Sequence, residues 1–542
     1  MKSLYNSGLA ILLTIFFMGC KELDLAPENS FTDLTYWTSE AKAQSVLNTA
    51  YAQMFSPGYF FYNEALSDNA YNGRGDAEGA ASLASGTYDP SLGRIQGEWN
   101  FHYQGIKTCN ILLDNIDRIA EMDETRRERM KAEARFLRAF QHFQLMTWFG
   151  DVPLLDKDIK IEETRTITRT PRAQVLAFIL DELESVAGIL PSNMEYSEAE
   201  RGKITKGAAI ALKARVLLYE SDWEGVITEC ERLMNNTEFG SYSLHPSYSG
   251  LFLPANEYNS EDILSLQFVP QFRTWSQYFD FAPLSTGARL NAMAPTQELV
   301  DSYLMLNGSS INDAGAGFDE NDPYANRDPR LTHTVVYHGF EWNGANGGSH
   351  TIYIEPGSDP NGDALDEFVS GSSSTTTGYY WRKYFDPTHQ EGFASGLNLM
   401  LIRYADVLLM YAEARNEISK LSAGEWDLTI RELRARAGFA DAAALNYNPA
   451  RSQDEIRAII RNERRVELAM EGLRIFDIRR WRTAEHVLNG WAHGAQFGPA
   501  EIDNGYLRVN ERTFDKSKHY LWPVPRDERN LNPNLGQNPG WD

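Results

Sequence analysis

The sequence predicts a mainly α-helical protein, in which tetratricopeptide-like helical hairpins form a scaffold for long loop-rich insertions and a few short strands. Two observations lead to this fold class. Apolar residues recur with helical spacing through residues 39–240 and again after residue 400. Between about 240 and 400, Gly, Ser, Asn, Asp and Tyr dominate and the apolar runs are short. The aromatic content of 12% argues against disorder in this central part, because disordered segments are poor in aromatic residues.

The N-terminal segment has the features of a bacterial lipoprotein signal. Its apolar run, from Leu9 to Met18, is shorter than the ~20 residues of a membrane-spanning helix and has the length of a signal-peptide core. The pair Gly19-Cys20 that follows resembles a lipobox, in which the cysteine is lipidated. We therefore expect a signal peptide at 1–19 and a lipidated Cys20 that begins a tether at 20–38. The alternative is a signal that is not processed at the cysteine, with Cys20 incidental.

Four long amphipathic stretches follow the tether and predict helices. The first opens with an N-cap candidate, Ser39, and the fourth opens with Pro171, whose missing N–H costs little in a first turn. Gly150 is the expected end of the third helix. The four predicted helices are 39–55, 98–120, 124–150 and 171–190.

Two further pairs of helical stretches predict tetratricopeptide-like hairpins. In each pair a tryptophan, Trp223 or Trp426, stands at the start of the second helix. The full tetratricopeptide signature is incomplete in both pairs, but two similar hairpins in one chain favour a helical scaffold. The predicted hairpins are 204–220 with 223–236, and 403–420 with 425–438.

Charge and cysteine content exclude some classes of protein. The net charge is −24, and a chain this acidic lacks the Lys and Arg surplus that phosphate contacts require, so we expect no nucleic-acid partner. Cys109 and Cys230 are the cysteines that follow Cys20, and two cysteines in a chain of this length do not form a disulfide framework. Both lie in helical patterns, which predicts that each is a small core residue.

Four segments carry a specific family pattern. They are AEARFLRAFQHFQLMTWFGDVPLL (132–155), LIRYADVLLMYAEARNE (401–417), IRNERRVELAMEGLRIFDIRRW (460–481) and LWPVPRDERNLNPNLGQNPGWD (521–542). Together with the Cys20 region they resemble the SusD/RagB nutrient-binding lipoproteins of the Bacteroidetes outer membrane. The resemblance implies a SusD-like N-terminal helical region at 39–240 and a RagB/SusD C-terminal region at 262–542, with the loop-rich insertion at 240–400.

The same resemblance implies a function. It implies a lipoprotein anchored in the cell outer membrane, which captures an oligosaccharide, or in some members a peptide, at the cell surface. It also implies a protein partner, a SusC-like TonB-dependent transporter, to which the ligand is delivered. No chemistry on the ligand and no cofactor are implied.

Candidate ligand-binding residues lie in the first loop (59–76) and in the central insertion. A sugar offers apolar C–H faces and hydroxyl edges, so its site needs exposed aromatic rings beside planar polar groups. The expected stacking residues are Trp275, Tyr278, Trp342 and Trp381, and the expected polar contacts are Asp68, Asn69 and Arg74. The alternative for each ring is a core position beneath a long loop.

Two glutamates, Glu463 and Glu467, raise the alternative of a glycoside hydrolase. They lie one turn apart on a predicted helix, with their Cβ atoms within about 6 Å of each other. That distance could suit the pair of carboxyl groups, about 5 Å apart, that a retaining glycosidase uses. Arginines crowd the same segment and would lower the pKa of both carboxylates, which disfavours a general acid and predicts structural ion pairs. The chain has no HExxH, GxSxG, GxxxxGK[ST] or CxxC motif, and 359–368 departs from a calcium-binding loop, so we expect no metal.

The sequence therefore predicts a non-enzymatic, cell-surface glycan-binding lipoprotein. Three alternatives stay open: a peptide-binding RagB-like uptake lipoprotein, a secreted all-helical glycoside hydrolase, and a tetratricopeptide-type scaffold that binds only proteins.

Overall fold

The computed structural model describes residues 36–344, 349–388 and 393–541. The predicted signal peptide, the predicted lipidation residue Cys20 and nearly all of the predicted tether lie outside the described residues. Within the described residues, no helix has both the length and the apolar character that crossing a bilayer would require.

Helices dominate the described chain, and the predicted mainly α fold is confirmed. In chain order they are α1 Glu40–Ala52, α2 Pro57–Tyr62, α3 Ala80–Ser85, α4 Gly93–Asn115, α5 Glu124–Phe149, α6 Ile161–Thr164, α7 Arg172–Ala187, α8 Lys206–Tyr219, α9 Trp223–Asn235, α10 Gln297–Ser302, α11 Arg330–Thr334, α12 Tyr404–Glu417, α13 Ala423–Trp426, α14 Glu432–Ala437, α15 Ala442–Leu445, α16 Gln453–Glu467, α17 Arg474–Arg480, α18 Ala484–Val487 and α19 Arg526–Leu531.

The strands are short and pair only in twos within the described residues. All pairs are antiparallel, and most strands belong to the central insertion. The pairs are β1 Ala70–Asn72 with β3 Met293–Pro295, β2 Asp262–Leu266 with β8 Leu399–Arg403, β4 Val335–Val336 with β7 Tyr380–Trp381, β5 Phe340–Asn343 with β6 Ser349–Ile352, and β9 Gly490–His493 with β10 Arg508–Arg512.

The four predicted long helices are present as α1, α4, α5 and α7. Asp123 begins α5 by accepting a hydrogen bond from the Arg126 amide, and Gly150 ends it with a φ of 74°, a left-handed value that suits glycine. Ser39 stands at the N-cap of α1, but its side chain makes no capping hydrogen bond. α5 packs between α4 and α7, so its apolar face lies inside the core.

Both predicted hairpins are present. α8 packs against α9, and the Asp222 side chain begins α9 by accepting a hydrogen bond from the Gly225 amide. In the second hairpin α12 is followed by α13, a π-helical segment (Asp427–Arg431) and α14, where the sequence predicted one regular helix. α12 also packs on α9 and α16, which joins the two hairpins into one scaffold.

The two cysteines of the described chain are core residues, as predicted. Cys109 in α4 and Cys230 in α9 are both buried and unpaired. Burial raises the pKa of the Cys109 thiol to about 12, so the reactive thiolate form is suppressed at neutral pH.

Candidate ligand-binding site

The β1–β3 pair joins the first loop to the central insertion, as a binding site built from both would need. Ala70–Asn72 runs antiparallel to Met293–Pro295, and the Gly73 amide continues the pairing by donating to the Ala292 carbonyl at 3.0 Å. On the other side of this segment the Ala292 amide donates to the carbonyl of Asp280 at 2.7 Å. Residues near 74, 280 and 290 therefore come together.

The four predicted stacking rings are buried inside the protein. Their exposed fractions are 4% for Trp275, 2% for Tyr278, 1% for Trp342 and 0% for Trp381. A ring needs an exposed face to stack on a sugar, so their assignment as ligand platforms is corrected to the alternative, a core position beneath the insertion.

The insertion buries these rings because it folds back onto the helical base. Trp275 packs on Phe61 of α2 at 4.9 Å between ring centroids, and its indole N–H donates to the Leu397 carbonyl at 2.7 Å. Tyr278 and Trp342 both pack on Phe385, at 5.3 Å and 4.9 Å. The rings thus supply the apolar contact that holds the long loops down.

The predicted polar residues Asp68 and Asn69 also have structural partners. Arg474 contacts the Asp68 carboxylate at 2.8 Å and Arg465 contacts it at 3.0 Å, and the two cations lower the pKa of that carboxyl. The Asn69 amide group donates to Glu64 at 2.6 Å and accepts from Arg465 at 2.7 Å. Both side chains are buried, so their predicted role as ligand contacts is corrected to fastening the first loop to the C-terminal helices.

Arg74 is the predicted residue that stays partly exposed. Its guanidinium donates to the Asn291 carbonyl at 3.2 Å and to the Ser372 carbonyl, so it bridges two segments of the insertion. These acceptors and a third, the Ser374 carbonyl at 3.4 Å, are backbone oxygens, and no carboxylate of the described residues lies within ion-pair distance of Arg74.

An exposed ring and an exposed ion pair lie beside this position. Arg289 contacts Asp280 through two parallel hydrogen bonds, of 2.5 Å from Nε and 2.9 Å from Nη2. The side chains are 38% and 17% exposed. Phe393 is 40% exposed, and the Arg289 guanidinium lies 5.4 Å from its ring centroid.

We call these four residues, Arg74, Asp280, Arg289 and Phe393, the β1–β3 surface. It combines an apolar ring with a planar donor and a planar acceptor, the groups that a sugar face and its hydroxyls require. Because the ion pair engages Nε and Nη2 of Arg289, its Nη1 remains available to a ligand; within the described chain it makes no hydrogen bond.

Sequence reasoning missed three of these four residues. Asp280 lies inside the aromatic stretch 272–281, from which only Trp275 and Tyr278 were predicted to contact a ligand. Arg289 and Phe393 belong to no motif, and only the folding of the insertion brings them together. A search for planar polar residues near exposed aromatics would have found Asp280 but not its partner.

The glutamate pair has the predicted structural role. Glu463 contacts Arg330 at 2.6 Å and Arg434 at 2.8 Å, and Glu467 contacts Arg403 at 2.6 Å. Both carboxylates are fully buried, and the surrounding arginines lower the pKa of each. A buried, ionised carboxylate can neither reach a glycosidic bond nor donate a proton to it.

Acidic loops of the described residues satisfy their own hydrogen bonds. Glu367 accepts from the amides of Gly357 and Asp359, both at 2.8 Å, in the loop whose sequence begins like a calcium site. Across the residues that the structure describes, no three His, Cys, Asp or Glu side chains are grouped as metal ligands.

The models of two protein families match parts of the chain. The SusD family matches residues 271–541, and the family described as "Starch-binding associating with outer membrane" matches residues 23–218. The first match alone covers half of the chain.

Individual relatives match along their full length. "SusD-like protein P2" of Formosa agariphila is 26% identical over 548 residues, which cover 98% of this chain and 98% of the relative. The crystal structure of a SusD-like carbohydrate binding protein from Bacteroides fragilis NCTC 9343 is 30% identical, with a TM-score of 0.82, over 92% of this chain and 100% of that chain. A second SusD-like protein from the same strain is 26% identical, with a TM-score of 0.79, over 95% of this chain and 100% of that chain.

These matches confirm the resemblance seen in the four sequence segments. The 30% identical structure is covered completely by this chain, and its TM-score of 0.82 shows that the two proteins share a fold. The chain belongs to the SusD family.

Proposed function

We propose that the protein captures an oligosaccharide at the cell surface on the β1–β3 surface and delivers it to a SusC-like TonB-dependent outer-membrane transporter. Membership of the SusD family supports carbohydrate binding, because one family description names starch and a 30% identical relative is named a carbohydrate binding protein. The protein holds the ligand without chemistry, through ring contact and hydrogen bonds.

The observation that carries this proposal is the exposed Phe393 ring beside the Arg289–Asp280 ion pair. The four rings that the sequence predicted as ligand platforms are buried, whereas this ring keeps 40% of its surface exposed next to planar polar groups. The Phe393 ring would contact the C–H face of a sugar. Arg289 would donate to its hydroxyl oxygens, and Asp280 would accept from its hydroxyl groups.

Calorimetry with plant, host and microbial polysaccharides and a peptide mixture tests the site, using residues 21–542. We expect one glycan to bind, and Arg289→Ala to weaken it about tenfold or more, because a hydrogen bond from a charged donor contributes roughly 1.5 to 3 kcal/mol. Phe393→Ala should weaken binding by about three- to tenfold, since a favourable ring contact contributes roughly 0.5 to 1.5 kcal/mol.

Matched substitutions outside the surface serve as controls. The control for Arg289 is Arg431, which is 44% exposed and contacts Asp427 at 3.5 Å. The control for Phe393 is Trp491, which is 40% exposed like the Phe393 ring. Arg431→Ala and Trp491→Ala should bind the glycan like the wild type. Equal losses in the control variants would contradict the assignment. Binding to peptides and to no glycan would instead support the RagB-like alternative.

Delivery requires that the protein reach the outer membrane and its transporter. The full chain, tagged at its C-terminus, should fractionate with the outer membrane and co-purify with a TonB-dependent barrel. Cys20→Ala should abolish lipid labelling and release the protein from the membrane fraction, because the acyl chains are its proposed anchor. Cys109→Ala, which removes a buried thiol, should change neither result. Retention of Cys20→Ala in the outer membrane, or purification of the wild type without a barrel, would contradict this part of the proposal.

A further inference from the structure

A cavity lies where several helices of the scaffold end. It has a volume of about 420 Å³. The ends of α5, α8 and α17 meet the beginning of α7 there, beside the C-terminal segment around Tyr520. None of its lining residues belongs to the β1–β3 surface.

Four arginines line this cavity, and two of them are already neutralised. Arg172 contacts Glu220 with both of its terminal nitrogens. Arg480 contacts Glu413 at 2.6 Å and Asp477 at 2.9 Å. Glu220 is the one carboxylate among the described lining residues, so the other two arginines leave the cavity with an excess of positive charge.

Arg479 is the first of the unneutralised pair. It is only 8% exposed, and its Nη2 donates to the carbonyl of Tyr520. Its Nε and Nη1 are buried without a hydrogen-bond partner, and no carboxylate of the described residues lies within ion-pair distance. The guanidinium lies 4.6 Å from the Trp148 ring centroid, and burial lowers its pKa to about 10. A buried cation without an anion is costly to maintain, which points to a missing counter-charge.

Arg482 adds a second, exposed cation at the same cavity. Its guanidinium lies 4.2 Å from the Tyr520 ring centroid, and the described residues hold no carboxylate within ion-pair distance of it. Its backbone has a φ of 57°, a left-handed value that is uncommon for arginine. Such strain is retained where the surrounding structure needs the residue in that position.

We propose that this cavity binds an oxyanion, a sulfate or carboxylate group, between Arg479 and Arg482. Guanidinium groups recognise both anions through paired, charge-assisted hydrogen bonds. The oxyanion is either a free ion or the substituent of an acidic sugar. The hydroxyl groups of Thr147 and Ser221 and the Tyr219 ring line the rest of the cavity, and they offer contacts that a sugar could use.

Titration calorimetry with three probes tests this site: inorganic sulfate, a sulfated disaccharide and its neutral parent disaccharide. Residues 21–542 are used at ionic strength held constant with chloride. Sulfate and the sulfated disaccharide should bind, and the neutral parent should not. Arg482→Gln should weaken both anions about tenfold or more, because it removes one charged donor at an exposed position. Tighter binding of the sulfated disaccharide than of sulfate identifies the sugar as the source, and equal binding identifies the free ion.

Controls separate this site from other cations and from the proposed glycan site. Arg431→Gln removes an exposed arginine elsewhere, and Arg289→Ala alters the β1–β3 surface; neither should change the affinity for sulfate. Arg479→Gln should also abolish binding if the variant folds, but Arg482→Gln decides the question because its side chain is exposed. Failure of both anions to bind, or unchanged affinity in Arg482→Gln, would overturn the proposal and would leave the β1–β3 assignment untouched.

Discussion

A Glu467→Ala variant is expected to lose about 3 to 5 kcal/mol of its free energy of unfolding, because it removes one partner of a buried ion pair. Glu467 lies at the end of α16 and contacts Arg330, Arg403 and Arg436. Within the described chain these contacts belong to one buried network of five cations and five carboxylates: Arg330, Arg403, Arg434, Arg436 and Lys383 with Asp328, Glu261, Glu463, Glu467 and Glu471. Removing Glu467 leaves that network with a net positive charge inside the core.

Urea unfolding of the wild type, Glu467→Ala and Asp454→Ala measures this effect. Asp454 lies on the same helix and contacts Arg457, but its side chain is 87% exposed, so its loss should cost less than about 1 kcal/mol. A Glu467→Ala protein as stable as Asp454→Ala would contradict the structural role. Loss of glycan hydrolysis with unchanged unfolding would instead support the hydrolase alternative.

The Glu467 carboxylate should make the free energy of unfolding fall as the pH becomes acidic. Its arginine neighbours hold the pKa of Glu467 below its ordinary value of about 4.3. The stabilisation is therefore complete above that ordinary value and is lost as the pH falls below about 4, towards the pKa of the folded state. The difference in unfolding free energy between the wild type and Glu467→Gln should shrink over that acidic range, and a constant difference would argue against an ionised Glu467.

A Trp381→Ala variant should lose about 3 to 5 kcal/mol of stability, the usual cost of emptying a buried tryptophan site. Trp381 is fully buried on β7, where it pairs with Val335 of β4. The folded fraction of this variant should still bind glycan, because the buried Trp381 ring has no face that a ligand can reach and is not one of the residues of the β1–β3 surface. Phe393→Ala should behave in the opposite way, with a small loss of stability and a clear loss of affinity, because its ring is partly exposed.

Comparison of thermal unfolding and calorimetry for these two variants separates core rings from ligand rings. Affinity is corrected for the fraction of protein that is folded at the temperature of the titration. A Trp381→Ala protein with unchanged stability and abolished binding would restore the ring to the ligand site. It would also show that the insertion opens in solution to expose it.

The helical part of the fold was predictable because its signals are local. α5 could be read from apolar spacing within one segment, with Gly150 at its end, and both hairpins have boundaries close to those expected. The structural role of Glu463 and Glu467 was predictable for a similar reason, since the neighbouring arginines were visible in the sequence. The π-helical segment Asp427–Arg431 was not, because nothing in its local pattern differs from a regular helix.

The binding residues were less predictable because exposure is a property of the folded chain. Trp275 and Trp381 have the side chains that a sugar platform needs, but the insertion uses them as its own apolar core. Asp68 has the planar acceptor that a sugar site needs, which led to its prediction as a ligand contact, but it pairs with Arg465 and Arg474, which are far away in the chain. Arg289 joins Asp280 only after the insertion folds back along β3, so no spacing rule would have paired them.

The most direct measurement of glycan capture is a crystal structure of residues 21–542 with the oligosaccharide that calorimetry selects. We expect a sugar ring against Phe393, with its hydroxyl groups within hydrogen-bond distance of Arg289 and Asp280. A sugar bound elsewhere, with the Phe393 ring and the Arg289–Asp280 pair left uncovered, would contradict it.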